Sequence, residues 1–388
     1  GNLRSMSPIN DTPGVRVRGA STAIERVDDE TLAVGADAAM EALALHLRAH
    51  RRTVPVWGTH LVQTLAGAVN TGTHGSSLTH PALASYVTRV ELVDPTGAAH
   101  VLEPGHPDFP FVVLGLGCFG RVTAYHLRVR PRMSVERRVR HRPIADWLRD
   151  LPRQAPAGDR FVSDEAHVLF DHDLVLAARR SEIDDDVPDA PLERMRSSDL
   201  IELLAESALV SLGPRRQRDL MKRLVPEGVR RGDNIALQAM RMTTSRVDHR
   251  GHKDCELAVA VTDLEPALAA LLPVLRRHTG HLWPFVHVRQ QKADALPLSP
   301  SHGRDIAWLE FVGLTVCAPQ RWRRLLAEVH EAFAPLGYRA HWAKECPGGP
   351  AWLRAQVPAL ARFAELRARY DPQGRLLNPY LEALLRGA

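Results

Sequence analysis

The stretch Gln63–Ser77, QTLAGAVNTGTHGSS, constrains this chain more than any other. Three glycines and several small hydroxyl residues surround a single histidine, His74, after an apolar lead-in. With so few bulky side chains, the backbone from Thr71 to Ser77 can approach a ligand or another chain segment closely. Its glycines can also take positive φ, which β-carbons resist. A loop of this kind suits an anionic cofactor, although a plain tight turn would use the same residues.

The chain has 388 residues, enough for two domains rather than one core. Hydrophobic residues make up 45% and charged residues 24%, the balance of an ordinary globular protein. No apolar run is long enough for a transmembrane helix, and the first residues lack a secretory pattern. Cys118, Cys255, Cys317 and Cys346 are far apart and show no metal-binding spacing, so free thiols in a reducing cytoplasm are expected. The net charge of +5 is dispersed and lacks arginine–aromatic interleaving, which argues against a nucleic-acid groove. Only Lys222, Lys253, Lys292 and Lys344 are lysines, so a lysine inside a motif stands out.

Hydrophobic periodicity predicts a mixture of strands and helices. Strands are expected at Val15–Ser21, Ile24–Val34, Val87–Val93, Arg121–Val129, Arg138–Asp146, Val162–Ala178 (two runs), Glu256–Thr262, Leu282–Arg289, Trp308–Val316 and Arg339–Ala343. Helices are expected at Ala36–His50, Leu200–Arg231, Leu264–His278, Gln320–Pro335 and Leu360–Tyr370. Asp94-Pro95-Thr96-Gly97 reads as a turn returning into His100–Leu102.

Several phrases together carry a resemblance. AGAVNTGTHGSS is followed by VTRVELVDPTG and LGLGCFGRVTAYHLRVRP; His341-Trp342-Ala343-Lys344 and DPQGRLLN, ending at Asn378, follow near the C-terminus. In this order they resemble the FAD-linked oxidases of the vanillyl-alcohol oxidase type, especially the sugar-alcohol and aldonolactone oxidases. The resemblance implies an α+β, two-domain fold: a PCMH-type FAD-binding domain and a cap domain with an antiparallel sheet. The expected boundaries are 1–131 for the FAD-binding domain, 132–360 for the cap, and 361–388 for a segment returning to the first domain.

Residue by residue, the resemblance places Gly67, Thr71, Gly72, Thr73, His74, Gly75 and Ser76 along FAD. Gly117, Gly120, Val122 and Thr123 fall near its adenosine half, and Asn378 in the family tail. Gly1–Ile9 looks like the family's pyrophosphate loop, in which Arg4 and Ser5 would meet the phosphates. Arg4 stands where the family carries the histidine that can bond covalently to flavin, so FAD is expected to be non-covalent. The family's first β-α-β unit has no counterpart before this loop.

At the substrate end, Arg289 matches the family arginine facing substrate and flavin, and Lys344 matches the lysine of the HWGK phrase. A guanidinium and an ammonium there can steady developing negative charge. The family glutamate two residues before the arginine is His287 here, an imidazole in place of a carboxylate. Glu310, on the next expected strand, is a source of a nearby carboxylate.

These assignments imply a flavin-dependent oxidase that takes hydride from an alcohol, polyol or sugar lactone and passes electrons to O2. The expected partner is a small-molecule substrate, with no nucleic acid, membrane or metal. The altered pyrophosphate loop motivates one alternative, a flavin-free descendant using the pocket for elimination, cyclisation or binding.

Overall fold

The computed structural model describes residues 21–151, 158–192, 194–195, 212–239, 241–242, 253–314 and 317–387. The Gly1–Ile9 loop, with Arg4 and Ser5, and most of the Val15–Ser21 run lie outside them.

Two antiparallel sheets organise the chain. The first is built from β1 (Ile24–Arg26), β2 (Thr31–Gly35), β4 (Val87–Val93), β5 (Ala99–Leu102) and β6 (Arg121–Arg128), in the order β1-β2-β6-β4-β5. A two-residue ribbon, β3 (Arg52–Thr53) with β7 (Arg130–Pro131), leads out of it. The second sheet has eight strands: β8 (Ser134–Arg142), β9 (Val162–Leu169), β10 (Leu174–Ile183), β12 (Gly228–Asp233), β14 (Lys253–Ala260), β15 (Phe285–Gln291), β16 (Ile306–Gly313) and β17 (Arg339–Ala340). Their order is β12-β8-β10-β9-β15-β16-β14-β17. A further short ribbon joins β11 (Arg194–Met195) to β13 (Arg241–Met242).

The large sheet has two unlike faces. Val286, Val288, Leu309, Phe311, Cys255, Leu257 and Val259 alternate onto one face, all buried. The helices Leu264–Arg277 and Pro319–Phe333 belong to the same core. The first buries Leu264, Ala267, Leu268, Leu271 and Leu275, a stripe at helical spacing that strips one side of water. Each such side chain contributes roughly 1.5–3 kcal/mol when fully buried. The opposite face carries the polar residues described below.

The C-terminal helices return to the first sheet. Arg369 Nη2 donates to both carboxylate oxygens of Asp108, at 2.8 and 2.9 Å, and Tyr370 donates to the same carboxylate at 3.1 Å. Phe119 packs edge-on against both Phe363 and Tyr370.

Three local expectations need correction. Gln63–Ser77 does not form a loop throughout: Leu65–Asn70 is a helix, capped by Thr64, whose hydroxyl accepts from the Gly67 N–H. Of Leu200–Arg231, the described part is a helix only over Pro214–Leu224. Pro226 then bars continuation, Val225 is pushed out of the helical region, and β12 follows. The Arg138–Asp146 strand runs instead over Ser134–Arg142, and Pro143 begins a helix at Ile144. Among the described residues no helix is long and apolar enough to cross a membrane, and all four cysteines are unpaired.

Candidate active site

Antiparallel pairing places directly opposed residues on the same face of a sheet. Here that rule aligns His167 on β9 with His287 on β15, His287 with Glu310 on β16, and Glu310 with Glu256 on β14. Two residues along, Glu165, Arg289 and Trp308 form a second row on that face. Asp254 follows the same alternation. Four strands thus deliver a layer of charge to one surface.

The layer is tightly paired. Lys344, just beyond β17, directs its ammonium at Asp254 (2.9 Å), Glu256 (3.0 Å) and Glu310. Arg289 pairs with Glu256 and, at 3.0 Å, with Glu310. His287 Nδ1 lies 3.0 Å from Glu310, and Arg180 holds Glu165. Burial opposes ionisation of Glu256 and Glu310, yet the cations outweigh it and hold both carboxyls well below the usual range. Asp254 goes the other way: burial, only partly opposed by Lys344, pushes it up to about 8. With Asp254 protonated near neutral pH, the charges of Glu165, Glu256 and Glu310 balance those of Arg180, Arg289 and Lys344.

Exposure separates support from working surface. Glu256 is fully buried, whereas the side chains of His287, Glu310 and Lys344 keep 13%, 14% and 15% of their surface. Those three line the open edge of the cluster.

The glycine-rich segment is wedged into this sheet. Pairing of β9 with β15 stops at Glu165 and Arg289, and Ser76 and Ser77 enter where the strands part. Ser76 donates its hydroxyl to the Asp164 carbonyl and accepts from the Gln290 N–H. Ser77 donates its hydroxyl to the Val162 carbonyl, and its N–H donates to Gln290 O at 2.8 Å. Beside them, His74 stacks on Trp308 with ring centres 4.3 Å apart. Burial lowers the His74 pKa, and burial pushes His341 down to about 3, so both rings are neutral.

The glycines have distinct reasons. Gly72 has φ +72°, and a β-carbon on Gly75 would sit 2.4 Å from the Trp57 carbonyl oxygen. Close packing of chain on chain therefore explains Gly75.

The same segment fits FAD on a different ground. Among the described residues, the N–H groups of His74, Gly75 and Ser76 have no hydrogen-bond acceptor. Consecutive donors without an acceptor among the described residues suit a ligand rich in carbonyl and phosphate oxygens, and FAD carries both.

The other expected cofactor residues are dispersed. Thr71 donates its hydroxyl to the Gly67 carbonyl, within the helix end, and Thr73 bonds Gln63. Gly117 lies next to that helix, its N–H donating to Asn70 at 3.2 Å. Gly120, just before β6, packs against Val93, while Val122 pairs with Leu92 and Thr123 donates to the Glu91 carbonyl within the first sheet. Asn378 caps the helix Pro379–Leu385 through the Leu381 N–H, a structural task.

Sequence reading missed Asp254, Glu256, Glu165 and His167. Glu165 and His167 in β9, and Asp254 and Glu256 in β14, are spaced two apart, so each pair shares one face of its strand, the one signal available for a buried polar face. His74, Glu256 and His341 also approach closely enough for a metal ion. Lys344 and Arg289 already engage that glutamate, however, and their charges oppose a second cation.

Comparison with known proteins bears on the family and the fold. The family profile for D-arabinono-1,4-lactone oxidase matches residues 127–384, and that for an FAD binding domain matches residues 3–103. The alditol oxidase of Streptomyces sp. (strain IKD472 / FERM P-14339) is 30% identical, covering 92% of this chain and 81% of its own. The L-gulono-1,4-lactone dehydrogenase of Mycobacterium tuberculosis (strain ATCC 25618 / H37Rv) is 24% identical, over 99% and 89%. The solved cholesterol oxidase of Brevibacterium sterolicum superposes with a TM-score of 0.74 at 14% identity, over 98% and 88%. That likeness establishes the fold: an FAD-binding domain of PCMH type with a cap built on an antiparallel sheet.

Proposed function

The chain belongs to the D-arabinono-1,4-lactone oxidase family of FAD-dependent oxidoreductases, and we propose that it oxidises a neutral, polyhydroxylated alcohol or sugar lactone, with O2 as electron acceptor. One observation carries the substrate reading. Arg289, Lys344, Glu310 and His287 converge on one sheet face beside the glycine-rich segment, and each cation there is already matched by carboxylates. An anionic substrate would find the cations of this face already compensated by carboxylates. Hydroxyl groups, by contrast, can donate to Glu310 and accept from Arg289, whose Nε is buried without a partner among the described residues.

FAD, held by the Gly67–Ser76 segment and by Gly117, supplies the acceptor for the substrate's hydride. The chain's own residues do the rest. Arg289 and Lys344 steady the substrate oxygen as its charge grows, a contribution of about 10²–10³-fold per donor in comparable sites. Glu256, buried beneath them, fixes both cations in place. Trp308 and His74, stacked together, wall the site off from water. The flavin-free alternative is set aside, because the FAD-binding match spans the segment it would have to lose.

The test is the absorbance spectrum of the protein after incubation with FAD and desalting, followed by anaerobic addition of polyols. Flavin bands that bleach with a neutral polyol support the reading. A colourless protein, or flavin that no alcohol or lactone reduces, would sink it.

A further inference from the structure

His287 replaces the carboxylate that the family resemblance leads one to expect, and Glu310 restores a carboxylate one strand away. The two face each other across β15 and β16, Nδ1 to Oε2, at 3.0 Å. Lys344 and Arg289 hold Glu310 ionised against its burial. An ionised carboxylate only accepts hydrogen bonds, so the hydrogen must sit on Nδ1. A neutral ring held in this orientation keeps its lone pair on Nε2. That nitrogen is buried and has no hydrogen bond among the described residues.

We propose that His287 Nε2 is the general base that takes the substrate's hydroxyl proton, and that Glu310 is the positioning residue that fixes its tautomer. The inference rests on the oxidase reading above. In the step, the substrate O–H bond breaks and an N–H bond forms at Nε2. The oxygen's electron pair would close the carbonyl as the C–H pair left as hydride, for which bound FAD would supply the acceptor. The ring that has taken the proton lies between two carboxylates: Glu310 at Nδ1 and, at 3.9 Å from Nε2, Oε2 of Glu165.

The surroundings suit that role. From β9, His167 stacks flat on His287 with centres 4.6 Å apart, and burial pushes it down to about 3, so it is neutral and no competitor. Glu165 on the same strand is ion-paired to Arg180 of β10, and Arg137 of β8 adds positive charge to both. Arg289 and Lys344 complete the charged groups, acting through Glu310. The orientation follows the histidine–carboxylate logic of nucleophile-activating triads, with the carboxylate orienting and the far nitrogen reacting.

The test combines spectroscopy and kinetics on the FAD-loaded protein. Labelling with [15N]histidine and comparison with His287→Asn identifies the ring's resonances. The expected pattern is a protonated Nδ1 and a bare Nε2, converted toward the opposite tautomer in Glu310→Gln and kept in Glu310→Asp. In anaerobic stopped flow, His287→Asn, which preserves a donor to Glu310, should slow flavin reduction about 10²–10⁴-fold with FAD content unchanged. A wild-type ring protonated on Nε2 overturns the proposal, as does a normal reduction rate in His287→Asn. A wild type reduced by no neutral alcohol overturns the oxidase reading and this step together.

Discussion

The two faces of the eight-stranded sheet are made by the same strands, yet they solve opposite problems. On one, Leu257, Val286, Val288, Leu309 and Phe311 share a dry core with two helices. On the other, Glu256, His287, Arg289 and Glu310 occupy the alternate positions of those strands. The first face stabilises the fold. The second costs stability, because buried ion pairs seldom repay their desolvation and apolar replacements of similar shape often do better. A face that expensive is kept for what it does, and its chemistry matches the proposed activity.

The comparison can be broken most forcefully at Arg289. Arg289→Met strands Glu256 and Glu310 with less compensation. A destabilisation of about 3–5 kcal/mol is expected in urea unfolding, together with a 10²–10³-fold slower flavin reduction. On the apolar face, Leu271→Ala should cost about 3 kcal/mol by the same unfolding assay. Its reduction rate per folded molecule should stay unchanged, which separates the two faces cleanly.

A third prediction concerns pH. Asp254 binds its proton more tightly in the folded chain, at about 8, than its ordinary value of 3.8 allows. Between those values the folded state holds a proton that the unfolded state lacks, so stability falls as pH rises through this window. The slope attributable to this group is at most about 1.4 kcal/mol per pH unit. Asp254→Asn should flatten it, as read from unfolding midpoints across pH 5–8. The smallest effect is at Trp308, whose indole donates to Gln291 at 2.8 Å. Trp308→Phe should cost about 1 kcal/mol and leave the charges in place.

Much of this was legible in the sequence where local chemistry decides. The helices Leu264–Arg277, Pro319–Phe333 and Ala359–Tyr370 announce themselves by apolar spacing, and the hairpin at Asp94–Gly97 by its turn residues. Arg289, Lys344 and His287 were visible through motif resemblance. Glu256 and Asp254 were not, because their spacing puts both on one face of a strand without saying which strand lies beside it. Only the register of β14 against β16, a contact over more than fifty residues of chain, puts Glu256 beside Glu310. Pairing between distant strands is set by the whole fold rather than by local propensity. The helix Leu65–Asn70 was hidden for another reason: Gly67 argues against a helix, and the Thr64 cap that rescues it is a single hydroxyl.

The most direct test of the central claim compares two substrates on the FAD-loaded protein under anaerobic conditions: a neutral polyol and the aldonate of the same carbon skeleton. The charge-balanced site predicts that the polyol bleaches the flavin and the aldonate does so at least tenfold more weakly in kcat/KM. Equal or faster reduction by the aldonate would mean that the cations of this face are free to bind anions, contradicting the account.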